Sequence, residues 1–183
     1  MKIMKKLLLL ACLISLPAIL RAQAPCKFHV SLDYHYNLGL SECHMGSAIT
    51  RSDGYNMHGN SLHITALYDV SNRISAGAGF GLDRYEEPGY NTLPIFGAFR
   101  YRPIRKYPDP YLYTNLGYGI GNERDLYAGW MWDAGIGYTK MFYRHFGLNF
   151  QFGYNLKTFH MHSGCTVHSN LRHSLSFGVG LVF

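Results

Sequence analysis

Residues 171–183 alternate without a break between large apolar side chains and small or polar ones, and His173 is the one exception on the apolar side. A two-residue period is the period of a β-strand, and about 9 to 11 residues are enough for a tilted strand to cross a bilayer. Because lipid offers no hydrogen-bond partners to the backbone, strands cross it only in closed barrels. This segment therefore predicts one strand of a transmembrane β-barrel.

Seven further segments show the same alternation, which predicts an all-β fold, an eight-stranded antiparallel up-and-down transmembrane β-barrel. They span residues 27–40, 62–70, 74–83, 93–101, 112–121, 129–139 and 146–157. Long connections at 41–60, 84–92 and 158–170 are expected at one end of the barrel, and tight ones at 71–73 and 140–145 at the other. Two connections fit less well: residues 122–126 are few for an outer loop, and 102–110 are many for a tight turn.

Side-chain volume predicts which face of each strand points outward. The interior of an eight-stranded barrel holds little more than its own side chains. Most of the glycines lie on one face of the segments, and most of the large aromatic and aliphatic side chains lie on the other. A soluble barrel with its apolar face inside would not have room for them. The apolar face should therefore contact lipid, with tyrosine and tryptophan rings near the headgroups.

The N-terminus has the three zones of a secretory signal peptide. Lys2, Lys5 and Lys6 precede an apolar run at 7–20, and Ala22-Gln23-Ala24 follows it. We predict a cleaved signal peptide at 1–24, with cleavage after Ala22 or Ala24, and a barrel domain at 25–183. Its removal leaves 13 basic and 11 acidic residues, so charge gives no reason to expect a nucleic-acid partner.

Charged residues are expected on the inner face of the barrel, in equal numbers of each sign. They are Asp33, Asp69, Asp83, Asp133, Arg100, Arg102, Lys157 and Arg172. Buried charges persist only when they are paired and hydrogen-bonded. We predict an ion-pair network that fills the lumen; the alternative is a small passive channel for ions or water.

Histidine and cysteine residues concentrate in the first and last long connections. Barrel closure would bring Cys43, His44 and His58 close to a second group, which comprises His160, His162, Cys165 and His168. A Cys43–Cys165 disulfide, metal-binding surface loops and solvated side chains all stay open. Because the spacing matches no established zinc motif, no metal or cofactor is predicted.

The eight amphipathic segments, the Leu-Pro-Ile-Phe-Gly-Ala-Phe-Arg-Tyr-Arg stretch at 93–102 and the terminal Phe183 resemble small eight-stranded outer-membrane barrels of the OmpA/OmpX type, a porin-like family. The resemblance implies an integral, monomeric protein of the Gram-negative outer membrane with periplasmic N- and C-termini. It also implies contact with phospholipid and lipopolysaccharide, and recognition of Phe183 by the barrel-assembly machinery. The role it suggests is structural or surface-interacting.

Some eight-stranded barrels are lipid A-modifying enzymes whose serine and histidine lie near the last loop. This chain has His160, His162, Ser163, His168 and Ser169 in that region. However, no His-x-Ser motif occurs there, and no acidic residue follows Asp133 to orient a histidine. A Ser-His-acid site needs such a group, so we predict that the protein is not an enzyme.

Overall fold

The computed structural model describes residues 27–183 apart from 45–46, 55, 87–88, 90, 105, 122–125, 128, 144–145 and 164–165. The predicted signal peptide lies outside the described residues. The strands are β1 (Phe28–His44), β2 (Ser47–Thr50), β3 (His58–Asp69), β4 (Ile74–Tyr85), β5 (Asn91–Tyr101), β6 (Pro110–Gly121), β7 (Leu126–Tyr127), β8 (Gly129–Tyr143), β9 (Phe146–Ser163) and β10 (Thr166–Val182). A 3-10 turn, Arg51–Asp53, follows β2.

Eight of these strands form a closed antiparallel barrel: β1, β3, β4, β5, β6, β8, β9 and β10. Each pairs with the next along the chain, and β10 pairs with β1 from Ser31↔Val182 to Cys43↔Leu171 to close the wall. The predicted fold class is confirmed. We refer below to the terminal end of the barrel, where Phe28 and Phe183 lie, and to the opposite end. No helix within the described ranges is long and apolar enough to cross a membrane.

The polar face of the strands points inward and the apolar face points outward, as the volume argument predicts. Arg172 is 1% exposed inside the barrel, whereas Trp130 is 63% exposed on the outside. A soluble protein shows the reverse distribution. The buried apolar cluster found among the described residues contains only Leu67, Phe96, Ala98 and Met131. All four lie on the face that the alternation assigns to the lumen.

Glycines on the inner face make room for larger neighbours. A Cβ on Gly137 would clash with the ring of Tyr111, and one on Gly79 would clash with Phe96. The tyrosine and phenylalanine rings therefore lie flat against the inner wall at positions where it carries no side chain. This arrangement lets a narrow barrel hold several large side chains.

The expectation of a long connection at 158–170 is wrong, because most of these residues form a paired hairpin. β9 continues to Ser163 and β10 begins at Thr166, with Asn170 opposite Phe159. The alternation also continues, since Phe159 and Asn170 are both buried on the inner face. The alternation predicts strands that end too early, because histidine and serine weaken the apolar side of the pattern there.

A β-bulge in β1 changes which side chains reach the lumen. The register with β10 shifts between Gly39 and Ser41. Odd-numbered residues face inward before the shift, and Glu42 faces inward after it, with Cys43 exposed outside. One extra residue in a strand produces this reversal. Glu42 is thus an interior acid that strict alternation does not predict.

Candidate functional site: the charged barrel interior

Asp83 is the centre of the most heavily bonded group of charges in the lumen. It lies on β4 and forms an ion pair with the Lys157 ammonium of β9, a strand that does not pair with β4. His63 Nε2 lies 2.9 Å from Asp83 Oδ1, and the Thr92 hydroxyl donates to Oδ2 over 3.2 Å. The Lys157 Nζ also lies 5.4 Å from the centre of the Tyr85 ring. This group joins opposite sides of the barrel wall.

Arg172 pairs with Glu42, the acid that the bulge in β1 turns inward. Its Nε and Nη2 donate to Glu42 Oε2 over 2.8 and 2.5 Å. The guanidinium carbon lies 5.2 Å from the centre of the Tyr85 ring and 5.8 Å from that of Phe159, within range of cation–π attraction. Tyr85 therefore contacts both basic side chains and links the Arg172 and Lys157 groups.

Asp33 and Arg100 lie nearer the terminal end. The Arg100 Nη2 is 3.9 Å from Asp33 Oδ2, and the same carboxylate accepts from Asn149 over 2.6 Å and from Ser31 over 2.7 Å. Arg100 also lies 4.9 Å from the centre of the Tyr111 ring. Neutral donors thus satisfy most of the Asp33 carboxylate, and Arg100 supplies a longer ion pair across the lumen.

Asp69 lies at the terminal end, where its ion pair with Arg102 is partly exposed. Arg102 Nη1 lies 3.2 Å and His29 Nε2 3.0 Å from its carboxylate, to which Ser75 also donates. The remaining predicted acid, Asp133, is buried and accepts from Asn155. Within the part of the chain that the structure describes, Asp133 forms no ion pair.

Two histidines fill the lumen between these groups. The ring centres of His35 and His63 are 5.2 Å apart, and His63 lies 5.1 Å from Phe96. Ser176 forms a 3.3 Å hydrogen bond with His35 Nδ1. Both imidazole rings therefore pack against other side chains in the lumen.

The cysteine and histidine residues of the long connections are only partly described. Cys165 and the side chains of His44, His162 and His168 lie outside the described residues, so the Cys43–Cys165 disulfide and its two alternatives stay open. His58 is hydrogen-bonded to the Tyr36 hydroxyl over 2.7 Å. No group of three or more metal-ligating side chains occurs among the residues that were described. His160 and Ser169 are opposite each other in the β9–β10 ladder.

No protein-family model and no curated protein matches the sequence. Solved structures do match the fold. Neisserial surface protein A is 17% identical, with a TM-score of 0.52 over 84% of this chain and 96% of its own. The outer membrane protein AlkL is 14% identical, with a TM-score of 0.51 over 89% of this chain and 93% of its own.

The chain has the fold of the small eight-stranded outer-membrane β-barrels. This confirms the resemblance at the level of architecture. At 17% and 14% identity the similarity concerns the fold alone. The arrangement of charges in the lumen is described from this chain and is not inferred from these structures.

Proposed function

We propose that the protein is an integral barrel of the bacterial outer membrane, with a structural or surface-interaction role and a lumen closed by its own side chains. The outward apolar face supports the location, because those side chains need an apolar surrounding phase. Phospholipid and lipopolysaccharide are the partners this implies. A monomer suffices, since the closed wall leaves no strand edge to pair with a second copy.

The proposed orientation places both termini in the periplasm. The turn at 71–73 is short, whereas the β9–β10 hairpin and the β1–β2 extension lengthen the opposite end. Outer-membrane barrels carry short turns on the periplasmic side and longer connections outside. Phe183 lies at the terminal end with its ring 6.2 Å from that of Phe146, and we assign to it recognition by the barrel-assembly machinery.

The main support for a closed lumen is the Asp83–Lys157 ion pair. It joins β4 to β9 across the barrel, and Arg172 extends the same group by packing on Tyr85. Asp33 makes a second crossing with Arg100 of β5 and Asn149 of β9 nearer the terminal end. An ion would have to displace two layers of paired charges. We therefore favour a plugged barrel over a passive channel, and over the enzyme and metal-binding alternatives.

Planar-bilayer recording tests the closed lumen. The wild-type protein, first shown by heat-modifiable gel migration to be folded, should give no discrete conductance steps. A sextuple variant, D83N/K157A/E42Q/R172A/D33N/R100A, removes the acids and bases of both layers together, and once the same gel assay shows it to be folded it should conduct. The matched control D109N/K140A removes an ion pair of 3.5 Å that is substantially exposed, and it should stay silent.

Regular steps from the wild-type protein would refute the plug and favour the channel. Protease added to intact cells tests the orientation separately. Cleavage should be confined to residues 41–60 and 158–170, and cleavage at 102–110 would reverse the assignment of the two ends.

A further inference from the structure

The backbone hydrogen-bond ladder between β4 and β5 is interrupted at two residue pairs. The two strands pair without a break from Ile74↔Tyr101 to Phe80↔Ile95, and they pair again at Asp83↔Thr92 in the same register. Leu82 and Pro94 lie in the interval between these paired stretches. Proline has no backbone N–H to donate to a neighbouring strand. The missing pairs are therefore a consequence of Pro94 and not of a bulge.

A crevice of about 380 Å³ opens at this interruption on the outer surface of the barrel. Its apolar part consists of Leu62, Leu82 and Leu93, together with the ring of Tyr34. All four side chains are exposed in the protein itself. Polar atoms contribute little of the lining, so the crevice suits a hydrocarbon chain better than a polar molecule.

A row of polar residues borders the apolar part on the side of the opposite end. Arg84 pairs with Asn60 on one side and with Asn91 on the other, so the row crosses three adjacent strands. The Tyr34 hydroxyl donates to Asn60 Oδ1 over 2.6 Å, which holds the amide oxygen toward Tyr34, and no acceptor for the Asn60 side-chain N–H groups is found among the described residues. Arg84 is exposed, and no ion pair to it is found among the described residues.

We propose that this crevice binds a phosphate-bearing lipid, with one acyl chain against Leu62, Leu82 and Leu93 and its phosphate on Arg84. Arg84 follows Leu82 by two positions, so its Cα lies about 7 Å along the strand from that of Leu82, within reach of a lipid phosphate whose acyl chain lies on the apolar part. A guanidinium flanked by amide donors matches the charge and the acceptors of a phosphate. Free phosphate would leave the apolar part unused, which is why we assign a lipid.

This inference rests on the proposed membrane location. In the proposed orientation the crevice opens into the outer leaflet, so the ligand is the phosphorylated lipid A portion of lipopolysaccharide. The binding chemistry itself does not depend on which end faces outward. A binding test on the isolated folded barrel can therefore fail, or succeed, independently of the location and the orientation.

Native mass spectrometry of the folded full-length protein in detergent gives the test, with lipid A and its dephosphorylated form as probes. The wild type should retain one lipid A with a preference of about tenfold or more over the dephosphorylated form, as expected for a charge-assisted hydrogen bond. Arg84→Gln should abolish that preference. Arg73→Gln, an exposed arginine at the terminal end, should leave it unchanged.

Pro94→Ala supplies the second variant. It restores an N–H that can complete the β4–β5 ladder, so it should narrow the crevice and weaken retention of both lipids while keeping the phosphate preference. Equal preference in the wild type and in Arg84→Gln would overturn the proposal, as would undiminished retention by a folded Pro94→Ala. Loss of heat-modifiable migration in the wild type would instead reject the proposed function.

Discussion

Lys157→Met should be among the most destabilising single substitutions of a charged residue in this barrel. The Lys157 side chain is 5% exposed and the Asp83 side chain is fully buried. Removing one partner of a buried pair leaves an uncompensated charge, which costs about 3 to 5 kcal/mol. His63 and Thr92 still bond to the carboxylate, so we expect a loss near the lower limit, about 3 kcal/mol. Denaturant titration in lipid vesicles measures the free energy of unfolding.

The double variant D83N/K157M separates the loss of pairing from the loss of packing. It has no buried charge left at this position, so its unfolding free energy should recover to within about 1.5 kcal/mol of the wild type. Lys140→Met is the matched control, because Lys140 and Asp109 form a 3.5 Å pair in which Lys140 is 54% exposed. Breaking it should cost less than about 1 kcal/mol. Equal effects of Lys157→Met and Lys140→Met would show that the lumen is hydrated and would refute the reasoning.

Two further substitutions test the packing of the wall and the state of the cysteines. Gly137→Val would clash with the Tyr111 ring and should lower the unfolding free energy by about 1 to 3 kcal/mol in the same titration; an unchanged value would show that the ring moves freely. Cys43 is exposed, with Leu171 opposite it in the β1–β10 ladder. We therefore expect an alkylating reagent to label Cys43 without prior reduction, and a Cys43→Ser control to lose that label. Protection that reductant removes would instead support the Cys43–Cys165 bridge.

The side-chain period was sufficient to predict the barrel and the side of the wall on which most residues lie. Phe96 and Arg100 share the inner face of β5 although one is apolar and the other charged, and both are buried there as predicted. Period two is a property of the backbone, so it holds even where composition is ambiguous. Leu67 shows the same thing on β3, since it is buried in the lumen on an otherwise polar face.

Partner choice inside the lumen could not be predicted from the sequence. The pairs that cross the lumen depend on the stagger of strands that never touch in the ladder, and that stagger comes from barrel closure as a whole. Glu42 was missed because a bulge has no reliable signature in one sequence, and it supplies the acid for Arg172. The proline signal at Pro94 could have predicted the gap in the β4–β5 ladder.

The polar interior and the apolar exterior depend on each other physically. The barrel has few buried apolar contacts among its described residues, so in the proposed membrane location the transfer of outward side chains such as Phe80 and Trp130 into lipid supplies much of the free energy of folding. This transfer free energy stabilises the closed wall. It does not determine the lumen, where the polar side chains must supply each other's hydrogen-bond and ion-pair partners. Asp133 is an example, because the donor found for its carboxylate among the described residues is the Asn155 amide and not a base. A neutral donor can serve there because a buried carboxylate can be satisfied by hydrogen bonds as well as by an opposite charge.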